Sequence, residues 1–276
     1  MSGNTPKPQK AANRYEQILE HIFASNYEPG DTQVQFVRQD LKDACIELGI
    51  QQPDNLGDVI YSFRHRNELP QSITGKAPEG QAWIITSRGR SKYQFETASA
   101  SRVTPSASRI VTKVPDSTPE IIRDNTLGDE QALLATVRYN RLIDTFLGLT
   151  TYSLQTHWRT TAKGVGQLEV DEVYVAVDRF GTQFIIPVQA KTGSDQIGIV
   201  QISQDLKACA EKYPQLVARP VAAQFLNNGV IALFELTLQD GDIVVVNEEH
   251  YKLVGADEVS DADRATYARR SGRELA

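Results

Sequence analysis

Between Gly166 and Gln201 the chain reads Gln167-Leu-Glu-Val-Asp-Glu-Val-Tyr-Val-Ala-Val-Asp178, then Arg179-Phe-Gly181, then Phe184-Ile-Ile-Pro-Val-Gln-Ala-Lys191. Two runs rich in β-branched residues flank a glycine-containing turn, which predicts an antiparallel hairpin. Folding the chain back about residues 179 to 181 brings Asp171 opposite positions 188 to 190. On regular strands, Glu169 and Asp171 share one face of the first strand, and Gln189 and Lys191 share one face of the second. The remainder is apolar on both faces, as in strands buried mid-sheet. Carboxylates, an amide and an ammonium at one end of such a hairpin need partners: one another, a metal or a ligand. The plainest arrangement is an ion pair between Asp171 and Lys191 at a sheet edge.

The flanking pattern extends this reading. Asp129 to Gly148 places Ala135, Tyr139, Leu142, Phe146 and Leu149 at steps of four and three, as one amphipathic helix that Glu130 opens. Thr151 to Thr160 is extended in character. Ile199, Ile202, Leu206, Cys209 and Tyr213 repeat the helical spacing, and Arg219 to Phe225 reads as a closing strand. Gly229 to Leu236 and Asp242 to Val246, about Gln239-Asp-Gly241, add a second hairpin.

Asp171 followed by Gln189-Ala-Lys191 resembles the signature of the PD-(D/E)XK nuclease superfamily, which includes type II restriction endonucleases and junction resolvases. Gln189 stands where the family usually has Asp or Glu. The likeness covers about half the chain, from Gly128 to about Phe225, in the family's order of helix, three-stranded meander, helix and strand. It implies an α/β fold with a PD-(D/E)XK nuclease-like core, a mixed sheet flanked by helices. The activity implied is that of a Mg2+-dependent endonuclease of the restriction type, reading sequence or modification in double-stranded DNA, with Mn2+ as a substitute metal. Asp171, the Gln189 side-chain carbonyl and the Ala190 backbone carbonyl then hold the metal. Lys191 orients the attacking water or stabilises the phosphorane, and Glu130 contacts metal-bound water. A neutral Gln189 removes one charge from the metal site, which Glu169 restores from the same face as Asp171. Glu172 points the other way on a regular strand and is expected at the rim, against a helix. Gln201, Gln204 and Asp205 form a polar stripe on the second helix, expected as its wet face unless Gln201 meets the phosphate. A symmetric double-strand break needs two such sites, hence a homodimer. Two other readings stay open: an inactive nuclease fold retained as a DNA-binding or regulatory module, and a nuclease of repair or junction DNA.

Upstream, helices are expected over Ala11 to Ser25, Val34 to Leu48, and Asn55 to Arg66. A hairpin follows, from Gln81 to Thr86 and Lys92 to Phe95, about Gly89. This order resembles a winged helix-turn-helix module with Asn55 to Arg66 as the reading helix. DNA contacts are then assigned to Arg64, His65 and Arg66 at its end and to Arg88, Arg90 and Lys92 on the wing. The other reading is a solvated basic turn on a protein-binding domain. The expected organisation is a winged-helix domain over 1 to 97, a Ser/Thr/Ala/Pro-rich linker over 98 to 118, a nuclease domain over 119 to 256 and a polar tail from 257 to 276.

At 276 residues, 40% hydrophobic and 23% charged, the composition is that of an ordinary globular protein with room for two domains. The net charge of −6 suits DNA poorly, but residues 1 to 113 hold 14 basic and 12 acidic side chains, so the cationic part is N-terminal. Without a long apolar run or an apolar leader, a cytoplasmic protein that does not enter a membrane is expected. Cys45 and Cys209 fall in helical patterns and read as buried thiols. The histidines at 21, 65, 157 and 250 have no ligand spacing, which argues against a structural zinc site.

Overall fold

A computed structural model of the chain describes residues 13 to 65, 67 to 125, 130 to 193 and 195 to 272. The chain divides into two compact units, one through Ser99 and the other from Ala100. The first runs α1 (Arg14–Asn26), β1 (Gln33–Val37), α2 (Arg38–Glu47), α3 (Leu56–His65), α4 (Gln71–Thr74), β2 (Ala82–Ser87) and β3 (Lys92–Ala98). Asn13 and Glu16 cap α1 reciprocally. The strands pair antiparallel in the order β1-β3-β2. Helices and sheet share one core, in which Phe23 stands edge-on to Trp83 and Phe95, each at 5.1 Å.

A helix from Val34 was expected, yet Gln33–Val37 is a strand buried at Val34 and Phe36. Alternation and a helical step both fit so short a run, and pairing with β3 decides between them. The helix starts at Arg38, where the Asp40 carboxylate accepts the Val37 N–H at 2.7 Å.

The second unit runs β4 (Arg102–Val103), β5 (Val111–Pro115), α5 (Glu120–Asp124), α6 (Glu130–Tyr139), α7 (Leu142–Leu147), β6 (Thr150–Ala162), β7 (Gly166–Val177) and β8 (Gln183–Lys191). It continues through β9 (Ile197–Gly198), α8 (Ile199–Lys212), β10 (Val217–Ala218), β11 (Val221–Phe225), β12 (Val230–Gln239), β13 (Asp242–Val254) and α9 (Asp261–Arg270). Among the described residues, eight strands make a mixed sheet in the order β5-β13-β12-β11-β8-β7-β6, with β10 beside β8. β8 is parallel to β11 and β5 to β13, while β11, β12 and β13 alternate. β5, β8, β11 and β13 therefore run in one direction, with their carboxyl ends at one end of the sheet.

Helices flank the sheet on both faces. Leu133, Leu134, Leu142 and Ile143 of α6 and α7 pack on Tyr174, Ile186, Val188 and Leu233. Ala208 and Cys209 of α8 pack on Trp158, Val170, Val173 and Ile185. Burial at this scale supplies most of the folding force, at about 25 cal/mol per Å2 of apolar surface. β7 and β8 are interior strands, as their two-sided apolar pattern requires, and Glu172 lies opposite Val188, close to the expected register.

Two expectations change. Asp129 to Gly148 is not one helix: Arg141, at φ 49°, stands in the left-handed region between α6 and α7. The break re-phases the apolar period, so Leu133, Leu134 and Val137 are buried while Tyr139 is exposed. The stretch from 98 to 118, expected as a linker, contributes β4 and β5 to the second unit, and the Asp116 N–H donates to the Val254 carbonyl at 2.8 Å. The polar tail, expected as a solvated helix or a disordered end, is a helix without a buried residue, α9, whose Tyr267 hydroxyl accepts from the Lys113 N–H at 2.9 Å and whose Asp263 pairs with Lys113 Nζ at 3.0 Å. No helix among the described residues is long and apolar enough to cross a membrane.

Candidate active site

β7 and β8 stay paired from Val177 and Gln183 as far as Glu172 and Val188, and then their ladder stops. Beyond it, side chains take over the freed backbone groups. Asp171 Oδ2 accepts the Ala190 N–H at 2.8 Å, and the Gln189 amide donates to the Glu169 carbonyl at 3.3 Å. On the other side of β7, His157 adopts φ 48° between Thr156 and Trp158, so β6 is kinked at the same level. The strands part where Asp171, Gln189 and Lys191 gather.

Burial pushes the Asp171 carboxyl above the ordinary carboxylate range, and the Ala190 hydrogen bond and the Lys191 charge oppose that rise. Lys191 Nζ donates to Glu130 Oε1 at 3.1 Å and to the Ala190 carbonyl at 2.9 Å. Glu130 is thus brought to the lysine, from the start of α6 as expected. No direct Asp171–Lys191 ion pair forms among the described residues.

Gln189 is fully buried and spends its amide on α8. Its Nε2 donates to Asp205 Oδ2 at 2.8 Å, and its Oε1 accepts from Gln201 Nε2 at 2.6 Å. Gln201 therefore reaches the site through Gln189. The stripe expected to be the wet face of this helix turns inward at Asp205, which is 1% exposed. Burial holds the Asp205 carboxyl well above its usual range, the Gln189 hydrogen bond opposes this, and Oδ1 is buried with no partner among the described residues.

Glu169 does not join Asp171. Its carboxylate accepts from Arg159 Nε at 2.9 Å and meets His157 Nδ1 at 2.8 Å, and those two bonds hold its pKa down. Alternation along β7 slips between Val170 and Val173, which, three apart, pack in the same cluster under α8. Glu172 is not a rim residue: fully buried, it takes Arg138 Nε of α6 at 2.8 Å and Ser153 Oγ of β6 at 2.6 Å. Sequence reasoning also missed Gln224, a lone amide in an apolar strand. It sits opposite Lys191 across the β8–β11 ladder, donates to the Asp195 carbonyl at 3.1 Å and buries Oε1 without a partner.

The oxygen donors here are hard. Asp171 Oδ1 has no partner among the described residues, and the Gln189 and Ala190 carbonyls each keep a lone pair after accepting one hydrogen bond. That set fits a cation of the Mg2+ class, which would relieve the desolvation of Asp171. Among the described residues no cluster of three His, Cys, Asp or Glu side chains could hold a metal, so such an ion would depend on carbonyls and water for its other ligands.

In the first unit, Arg64 is not available for a phosphate. Its Nε donates to the Ile85 carbonyl at 2.9 Å, its guanidinium lies over Tyr93, and burial lowers its pKa to about 10. The packing of α3 on β2 draws it inward. His65 ends α3, but its side chain, like the whole of Arg66, lies outside the described residues. Arg88, Arg90 and Lys92 are exposed around the β2–β3 turn, and Arg88 Nε also donates to Gln94 Oε1 at 3.0 Å. Comparison with protein-family models, with curated proteins and with solved structures finds no match to this chain.

Proposed function

We propose that the chain is a divalent-cation-dependent DNA endonuclease of the PD-(D/E)XK type, working as a restriction-type enzyme on duplex DNA. One observation carries the reading: the β7–β8 ladder opens at a desolvated Asp171, with Lys191 one strand away and Glu130 seated on the lysine. The element order supports it, since α6 and α7, the β6–β7–β8 meander, α8 and β11 follow one another as in that superfamily. Asp171 with the Gln189 and Ala190 carbonyls would hold Mg2+ or Mn2+, which supplies charge neutralisation at the phosphate and a more acidic water. Lys191 Nζ, oriented by Glu130 and the Ala190 carbonyl, is placed to donate to the attacking water or to a phosphate oxygen. Asp205 fixes the Gln189 amide so that its carbonyl, not its NH2, meets Gln201. Arg88, Arg90 and Lys92 add contacts to the phosphate backbone, and a double-strand break calls for two copies of the chain.

One observation favours a second reading. The Gln189 and Ala190 carbonyls already accept hydrogen bonds, and one carboxylate alone stands among the proposed ligands, as in a nuclease fold kept for DNA binding. Incubating the protein with unmodified and differently modified genomic DNAs in Mg2+ or Mn2+, and sequencing the ends, separates the two. Recurrent metal-dependent ends are expected, and intact DNA in every sample would favour the binding module.

A further inference from the structure

A cavity of about 440 Å3 opens where β5, β8, β11 and β13 have their carboxyl ends. Asp116 follows β5, Thr192 follows β8, Phe225 ends β11 and Leu253 lies near the end of β13, and all four line it. This end of parallel strands is where α/β sheets offer their ligand crevices, and the volume is within the range of small-molecule sites. Leu133 and Ile231 make an apolar back wall, with Phe225 as an aromatic surface. The polar side is an adjacent acceptor and donor, Asp116 Oδ2 with Arg123 at 3.3 Å.

The cavity adjoins the candidate active site along the chain. Thr192 comes directly after Lys191, and Leu133 lies one helical turn beyond Glu130. A phosphate held at Lys191 therefore brings its own nucleotide to the mouth. An apolar cavity with a neighbouring acceptor and donor complements the Watson–Crick edge of a base, which presents a donor beside an acceptor: an exocyclic NH2 beside a ring nitrogen in cytosine and adenine, a ring N–H beside a carbonyl in guanine and thymine.

We propose that this cavity receives one base extruded from the duplex next to the phosphate at Lys191, stacked on Phe225 and hydrogen-bonded to Asp116 and Arg123. The proposal rests on the nuclease reading. Extrusion would give the enzyme sequence or modification selectivity from the catalytic unit itself.

The test uses duplexes that the wild type nicks in Mg2+, carrying 2-aminopurine at successive positions and bound by full-length protein with Ca2+ replacing Mg2+. Emission should rise at one position beside the nick. Thr136→Phe, from a half-buried position lining the cavity, and Asn227→Trp, at an exposed turn on its edge, should abolish the rise. They should slow nicking roughly tenfold or more and leave duplex affinity within a factor of about three. A wild type that nicks without raising emission at any position overturns the proposal. So do folded variants that behave as wild type, and Asn227→Trp decides the matter alone if Thr136→Phe does not fold. A wild type that neither binds nor nicks duplex DNA overturns the nuclease reading, and the identity of the ligand falls with it.

Discussion

Asp205 sets a cost inside the second unit: a buried carboxyl with one oxygen bonded to Gln189 and the other without a partner among the described residues. Replacing it with Asn keeps an acceptor for Gln189 and removes the charge. Because the folded-state pKa is raised above the unfolded one, the wild type is penalised at neutral pH, and the penalty fades as pH falls from the folded pKa towards the ordinary carboxylate range. In chelator-containing buffer, Asp205→Asn should therefore unfold later than wild type at pH 7, by roughly 1 to 3 kcal/mol, and the gap should close on acidification. Denaturant titrations at a series of pH values check this, and a variant less stable than wild type at pH 7 would contradict it. At this scale the sequence was legible where chemistry and spacing agree: Asp171, Gln189, Lys191 and Glu130 come together. Asp205 was not, because its helical period fits a wet face until packing against β8 turns that face inward. Arg64 misled for the same reason, since a basic residue at a helix end does not reveal that its guanidinium is held by Ile85.

β7 is the element on which the site depends, because its two ladders behave differently at one level. It stays paired with β6 on both sides of His157 and leaves β8 beyond Glu172. Glu172 anchors that branch point by tying α6, β6 and β7 through Arg138 and Ser153. Glu172→Gln weakens both bonds in a fully buried position, although Arg138 retains some solvent. It should cost about 1 to 3 kcal/mol in thermal or denaturant unfolding and lower the activity through displacement of β7, whereas an unchanged stability would deny the anchor. The hairpin itself was readable from its alternating pattern and its turn, where Asp178 Oδ1 accepts the Phe180 and Thr182 N–H groups and Gly181 takes φ 85°. The break in α6–α7 and the strand at Gln33–Val37 were not, because each depends on a partner far away in sequence or on a left-handed residue that is not glycine.

For the whole molecule, charge is unevenly spread along the chain. The exposed Arg88, Arg90 and Lys92 belong to the less acidic part of the chain, and the second unit carries most of the carboxylates. Reversing all three charges should weaken duplex binding and flatten its salt dependence by up to about three units of slope. Deleting residues 1 to 97 should weaken binding further and leave residual metal-dependent nicking at high protein concentration. Salt titrations of binding for the three proteins check this, and equal affinities and slopes would assign the first unit another role. A two-part chain was legible from its length and the order of its patterns, and the mixed sheet between helices followed from the resemblance those patterns carry. The place of residues 98 to 118 was not, since a Ser- and Pro-rich stretch gives no sign that β5 will pair with β13, far along the chain.

The most direct measurement is the conversion of supercoiled plasmid to open circles by wild type, Asp171→Ala and Lys191→Ala, with Mg2+ and with chelator, alongside plasmid binding. Nicking by wild type in Mg2+ alone is expected, with both variants slower by roughly a hundredfold or more while they bind DNA as wild type does. Either variant, purified and folded, nicking near the wild-type rate, or a wild type that binds DNA and never nicks it, would contradict a catalytic centre at Asp171 and Lys191.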